Sequence, residues 1–144
     1  MANQIFVNLP VKNLDKSVEF FTKLGFSFNP QFTNEEATLM IIEDNISVML
    51  LVERFFKTFT NKEITDTATT TEVILCLSAD NREKVDELVD KAMAAGASPS
   101  NFAQDQGFMY GRSFQDLDGH LWEVMYMDPI AFTQEQPAVE ANAA

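Results

Sequence analysis

The sequence predicts an α+β protein built from two βαβββ modules in tandem. Three observations carry this. Two amphipathic helical stretches, one over 14–24 and one opening near Asp80, each stop at a glycine, Gly25 and Gly96. Each is preceded by a short aliphatic strand and followed by runs that alternate as strands do. The last such runs flank Asp116-Leu117-Asp118-Gly119, and an Asp-Gly pair between apolar runs is a strong hairpin signal, because Gly takes the positive φ of the turn without steric cost.

Gln4 to Leu9 reads as the first strand, with Phe6 and Asn8 on one face and Ile5, Val7 and Leu9 on the other. Pro10 ends it or marks a sheet edge. Asn13 is a good N-cap for the helix from Leu14, with Asp15 well placed in its first turn and Val18, Phe21 and Leu24 on one stripe. Phe26 to Phe32, Ala37 to Ile42 and Ile46 to Val52 follow as strands. In the second module Glu72 to Ser78 is a strand. Asp80 with Glu83 looks like a capping box. Val85, Leu88, Val89, Ala92 and Met93 keep the spacing of a buried helical face. Weak strand character near 97–102 precedes a better strand from Phe108 to Phe114, and the strand after the turn closes the module.

One domain over 1–128 is expected: module one about 4–53, a linker 54–71 and module two about 72–128. The tail 129–144 loses its periodicity and reads as disordered. The linker carries Phe55, Phe56 and Phe59 and a capping-box start for a short helix at Thr60 to Glu63. Those rings either seal the core or meet a partner subunit or ligand.

At 144 residues with 46% hydrophobic content the chain can bury a full core. Ten basic against 22 acidic residues leave a formal charge of −12, which argues against nucleic acid and would favour a cationic ligand. No apolar run is long enough for a membrane span, and the N-terminus lacks the form of a secretory signal. The single cysteine, Cys76, excludes an internal disulfide and reads as a buried small hydrophobe, so the expected location is cytoplasmic.

Glu123 is the chemical anomaly. After the turn, Leu121, Glu123, Met125 and Met127 share one strand face, while Trp122, Val124 and Tyr126 share the other. A carboxylate among such neighbours calls for a partner, a proton or a metal. Tyr110 and Arg112 lie on one face of the preceding strand, and an Arg112–Glu123 ion pair is expected. Arg112 would otherwise receive a ligand's anionic group beside the Tyr110 hydroxyl.

With VNLPVKNLDKSVEFFTKLGF at the first strand and helix and FQDLDGHLWEVM at the end, residues 4–128 resemble the vicinal oxygen chelate superfamily. Its members include glyoxalase I, extradiol dioxygenases and bleomycin resistance proteins. The nearest resemblance is to small, uncharacterised glyoxalase-like proteins. It implies mixed sheets curled into a half-open cup that holds the site, and pairing as a homodimer.

Carried over by position, the family's metal ligands fall on Glu123, which can ligate, and on Phe6 and a position near Ile74, which cannot. The fourth falls within Ile46 to Leu51, where no side chain binds a metal well. No cofactor is therefore expected. Glu123, with help from Asn8 and Glu72, would be the remnant of any divalent site, one suited to Mg or Mn. The only histidine, His120, is taken as a turn residue.

The reading that follows is a glyoxalase/bleomycin-resistance-like protein that binds or transforms a small molecule, aromatic or cationic, in its cup without the metal cage. Candidate ligand-binding residues are Phe6, Asn8, Glu72, Tyr110 and Arg112. If it is an enzyme, it is a lyase or isomerase with Glu123 as general base, its pKa raised by apolar neighbours. The alternative is a metal-dependent glyoxalase-like lyase or dioxygenase with Glu123 as a metal ligand.

Overall fold

The computed structural model describes residues 2–130. The order of elements is β1 (Ile5–Val11), α1 (Leu14–Lys23), β2 (Ser27–Asn29), β3 (Ala37–Glu43), β4 (Ile46–Val52), α2 (Glu53–Phe56), β5 (Ile74–Ser78), α3 (Arg82–Ala94), β6 (Ser98–Pro99), β7 (Gln104–Asp105), β8 (Met109–Gln115) and β9 (Leu121–Met127). Two mixed sheets result, in the orders β1-β4-β3-β2 and β5-β9-β8-β6, with β7 added beside β8. Each module pairs its first strand in parallel with its last, β1 with β4 and β5 with β9, and the other pairs are antiparallel. Neither sheet closes into a barrel, so α1 and α3 cover one face and the other face forms the half-open cup.

One core joins the modules on the helical side. Leu9, Val11, Phe20, Phe21, Val48 and Leu50 of the first module meet Val85, Val89, Ala92, Phe114, Trp122 and Val124 of the second. Trp122 stacks on Phe114 at 6.4 Å between ring centres and tilts against Phe21 at 5.6 Å. The alternation in β9 works as its sequence requires: Trp122 and Val124 are buried while Glu123 faces the cup.

Helix starts are set by asparagines. The Asn13 side chain accepts the Lys16 N–H at 3.0 Å, as expected. The second helix is capped by Asn81, whose side chain accepts the Lys84 N–H at 2.8 Å, in place of the Asp80 box. Pro10 lies inside β1, which continues to Val11. The strand tolerates it because β1 is a sheet edge and needs no N–H there.

Other differences are local. The predicted 26–32 strand keeps only Ser27–Asn29, because Pro30 opens a 3-10 turn capped by the Asn29 side chain. The weak 97–102 strand shrinks to Ser98–Pro99. In the linker, helix forms earlier than the Thr60 box suggests, at Glu53–Phe56, running on as a 3-10 turn over Lys57–Phe59. Phe55 packs edge-on to Phe59 at 5.1 Å. The expected tail begins at 129, and 131–144 lie outside the described residues. No described helix is long and apolar enough to cross a membrane.

Candidate functional site

The Asp116–Gly119 turn holds the molecule together. Its closure is wider by one residue than the four-residue Asp116–Gly119 turn: Gln115 pairs with Leu121, leaving a five-residue loop over 116–120. Inside the loop the Asp116 carboxylate accepts three hydrogen bonds, from the Asp118 N–H at 2.9 Å, the His120 N–H at 3.0 Å and the Trp122 indole N–H at 2.9 Å. Gly119 takes φ +80°, as the turn demands. Burial pushes the Asp116 carboxyl above its ordinary value, and the His120 charge together with the three donors only partly offsets that.

Asp118 then reaches across to the first module. One of its carboxylate oxygens accepts the Lys12 N–H at 2.8 Å and the other the Ser17 hydroxyl at 3.3 Å. The Asp118 carbonyl accepts the Thr67 hydroxyl of the linker. Asp66 fixes this part of the linker, with its backbone carbonyl accepting the Thr69 and Thr70 N–H groups and its side chain the Ala68 N–H. The turn is thus a three-way junction of module one, linker and module two.

His120 is the hub of that junction. It is 2% exposed, shares the parity of Trp122, and sets both ring nitrogens on acceptors. Nε2 lies 2.7 Å from the Pro10 carbonyl of β1, and Nδ1 lies 2.7 Å from Glu72 Oε1. A carbonyl can only accept, so Nε2 carries a hydrogen. With Nδ1 facing a carboxylate, the arrangement fits a doubly protonated imidazolium paired with Glu72. Burial pulls the imidazole pKa down. The Asp116 charge, the Pro10 carbonyl and Glu72 outweigh it and leave the pKa above the ordinary 6.5.

This has a measurable consequence. A raised folded-state pKa contributes stability that is complete below the unfolded value of 6.5 and is lost as pH rises through the folded value. On the acid side Asp105, held down to about 2 chiefly by its paired hydrogen bonds with Arg82, contributes above 3.8 and loses that as pH falls toward 2. Urea unfolding should therefore show stability declining as pH rises above 6.5, with the slope abolished in His120→Gln. A wild-type profile that rises over that range would contradict the imidazolium.

Beside His120 and Glu72 lies a chamber of about 380 Å3. Its walls are Val7, Asn8, Leu9 and Pro10 of β1, Phe56, Thr60, Glu63, Ile64 and Thr65 of the linker, and Glu72, Val73 and His120 of module two. A second hollow of about 330 Å3 shares Pro10, Glu63, Ile64, Thr65 and His120 with it and adds Lys12, Lys57 and Asp118. A mostly apolar space of this size with a few polar groups is what a small-molecule site needs.

Asn8 and Glu72, two of the residues expected to bind a ligand, meet in this chamber. Phe6 lies two residues away on the cup face of β1 and is 54% exposed. Glu123 is elsewhere. It stands in register between Cys76 of β5 and Ser113 of β8, over a dimple of only about 20 Å3, room for roughly one water.

The expected Arg112–Glu123 pair does not form. The five-residue loop shifts the register by one, so Ser113 faces Glu123 and Arg112 turns to the helical face, where its guanidinium bonds Asp86 and Asp90 of α3, each at 2.9 Å. Tyr110 is on that face too, donating to Asp86 at 2.6 Å. Cys76 is exposed on the cup face, not buried, and burial of the thiol itself followed by the Glu123 charge raises its pKa, which disfavours a thiolate.

The family's metal does not suit the donors present. Phe6 and Ile74 have no lone pair to offer, Glu123 has only a thiol and a hydroxyl beside it, and among the described residues no three His, Cys, Asp or Glu side chains gather to hold an ion.

Two open βαβββ modules around a shared cup define a vicinal oxygen chelate fold, and the comparisons agree. The chain belongs to the Glyoxalase/Bleomycin resistance protein/Dioxygenase superfamily, whose family model matches residues 3–124. Among solved structures it is similar to the hypothetical protein SA1046 of S. aureus, with 29% identity over 88% of this chain and 95% of that one, at a TM-score of 0.74. It shares the fold of a lactoylglutathione lyase from Agrobacterium tumefaciens, with 15% identity, 88% and 94% coverage and a TM-score of 0.65. TioX from Micromonospora sp. ML1 also shares it, with 20% identity, 88% and 99% coverage and a TM-score of 0.60. No curated protein matches the chain.

Proposed function

We propose that the protein binds a small molecule, aromatic or cationic, in the chamber between β1, the linker and the Glu72–His120 pair, and does so without the superfamily's metal. The observation that carries this is the separation of the apolar chamber from Glu123: Phe56, Ile64 and Val73 line a space of about 380 Å3 beside β1, while Glu123 borders only a dimple. The charge of −12 supports a cationic partner. Exposed Phe6 and Ile74 on the cup face support a homodimer that covers them, and the single cysteine suits the cytosol.

Divalent-ion calorimetry on wild type and Glu123→Gln, beside a thermal-shift screen of aromatic and cationic compounds on wild type and Val73→Trp, tests this reading. Expected are no stoichiometric metal binding that depends on Glu123, and compound-induced shifts that vanish when Trp fills the chamber. Stoichiometric metal binding lost in Glu123→Gln would overturn it and favour a lyase or dioxygenase.

A further inference from the structure

We infer that the chamber selects a compact ammonium ion with an apolar body, anchored on the carboxylate of Glu72 that His120 holds in place. The inference rests on the chamber being the binding site and names the chemistry that site recognises.

The donors and acceptors around the chamber favour a cation. His120 spends both ring hydrogens on protein acceptors, the Pro10 carbonyl and Glu72 Oε1. It has none left for a ligand's carboxylate. Glu72 is used on one oxygen only: Oε2 makes no hydrogen bond to any described residue, and the side chain is 28% exposed. That leaves an ionised acceptor, oriented by a buried partner, at the edge of an otherwise apolar space.

The remaining polar groups do not reverse the preference. Lys12 and Lys57 line the adjoining hollow and not the chamber, Lys57 is engaged with Glu63 at 3.3 Å, and Asn8, Thr60 and Thr65 are neutral. An anionic ligand would meet Glu72 and Glu63 without an unengaged cation among the side chains that line the chamber. A protonated amine would meet a charge-assisted acceptor while its apolar body packs on Phe56, Ile64 and Val73.

Benzylamine, benzyl alcohol and benzoate form a matched probe set, titrated into wild type and Glu72→Gln with the amide and His120 ring resonances observed by NMR. Gln keeps an oxygen for His120 Nδ1–H, so the junction persists while the charge is removed. The expected result is benzylamine binding at least about tenfold tighter than benzyl alcohol, the worth of one charge-assisted hydrogen bond, with benzoate weakest and the amine's advantage gone in Glu72→Gln. Benzoate binding as tightly as benzylamine, an amine advantage that survives in Glu72→Gln, or no benzylamine binding would each overturn the inference. If benzyl alcohol still perturbs chamber resonances in that case, the chamber stands as a binding site and only its selectivity for ammonium falls. If no probe or screened compound perturbs them, both fall.

Discussion

Asp116→Ala is expected to destabilise the protein by about 4 kcal/mol, lowering its melting temperature by roughly 10–20 °C. The substitution strands three donors at once: two backbone N–H groups of the turn and the indole N–H of Trp122, which is 1% exposed. Each buried donor left without an acceptor costs about 1–3 kcal/mol. The sum is reduced because removing the carboxylate also relieves a buried charge, whose cost shows in the upward shift of its pKa. Asp116→Asn should cost about half as much, since one oxygen remains while the amide N–H2 confronts a donor. Urea denaturation of the two variants measures this, and an alanine variant within about 1 kcal/mol of wild type would show that the turn does not depend on Asp116.

Gly119→Ala should lose about 3 kcal/mol, for two separable reasons. The backbone at φ +80° resists any side chain, a cost of about 1–2 kcal/mol. A Cβ there would also stand 2.5 Å from Thr67 Oγ1 and 2.9 Å from its Cβ, so the linker must retreat from the turn. Because that linker walls the chamber, ligand binding should weaken along with stability. Adding Gly119→Ala to Thr67→Gly, with Thr67→Gly alone as the reference because it already loses the hydroxyl bond to Asp118, separates the causes: the steric share disappears and the backbone share stays. A double variant as stable as Thr67→Gly alone would show that the backbone conformation carries no cost.

How far the sequence could be read follows from where period and partner are decided. The two modules were legible because helix and strand periods are local, and Asn13, Gly25 and Gly96 mark real boundaries. The parity of β9 correctly turned Glu123 to the cup and Trp122 to the core. What failed was register. A five-residue loop in place of the four-residue Asp116–Gly119 turn moves Arg112 from the cup to α3, and nothing in the local pattern distinguishes the two closures.

His120 was missed as a hub although its parity with Trp122 placed it on the core face. A histidine there requires partners, and that requirement was the available signal. Its partners, Pro10 and Glu72, lie 110 and 48 residues away in sequence, so only the folded chain brings them together. The chamber was not legible for a similar reason: the linker that walls it carries no period, and it is positioned by the Thr67 hydroxyl on the Asp118 carbonyl and by the hydrogen bonds of Asp66 to Ala68, Thr69 and Thr70.

The most direct test of the central claim is to map amide shift changes when a compound from the aromatic and cationic screen is titrated into the wild-type protein. The chamber reading predicts that they cluster at Val7, Asn8, Ile64, Val73 and His120. Changes centred instead on Cys76, Ser113, Glu123 and Met125 would contradict it and return Glu123 to the middle of the site.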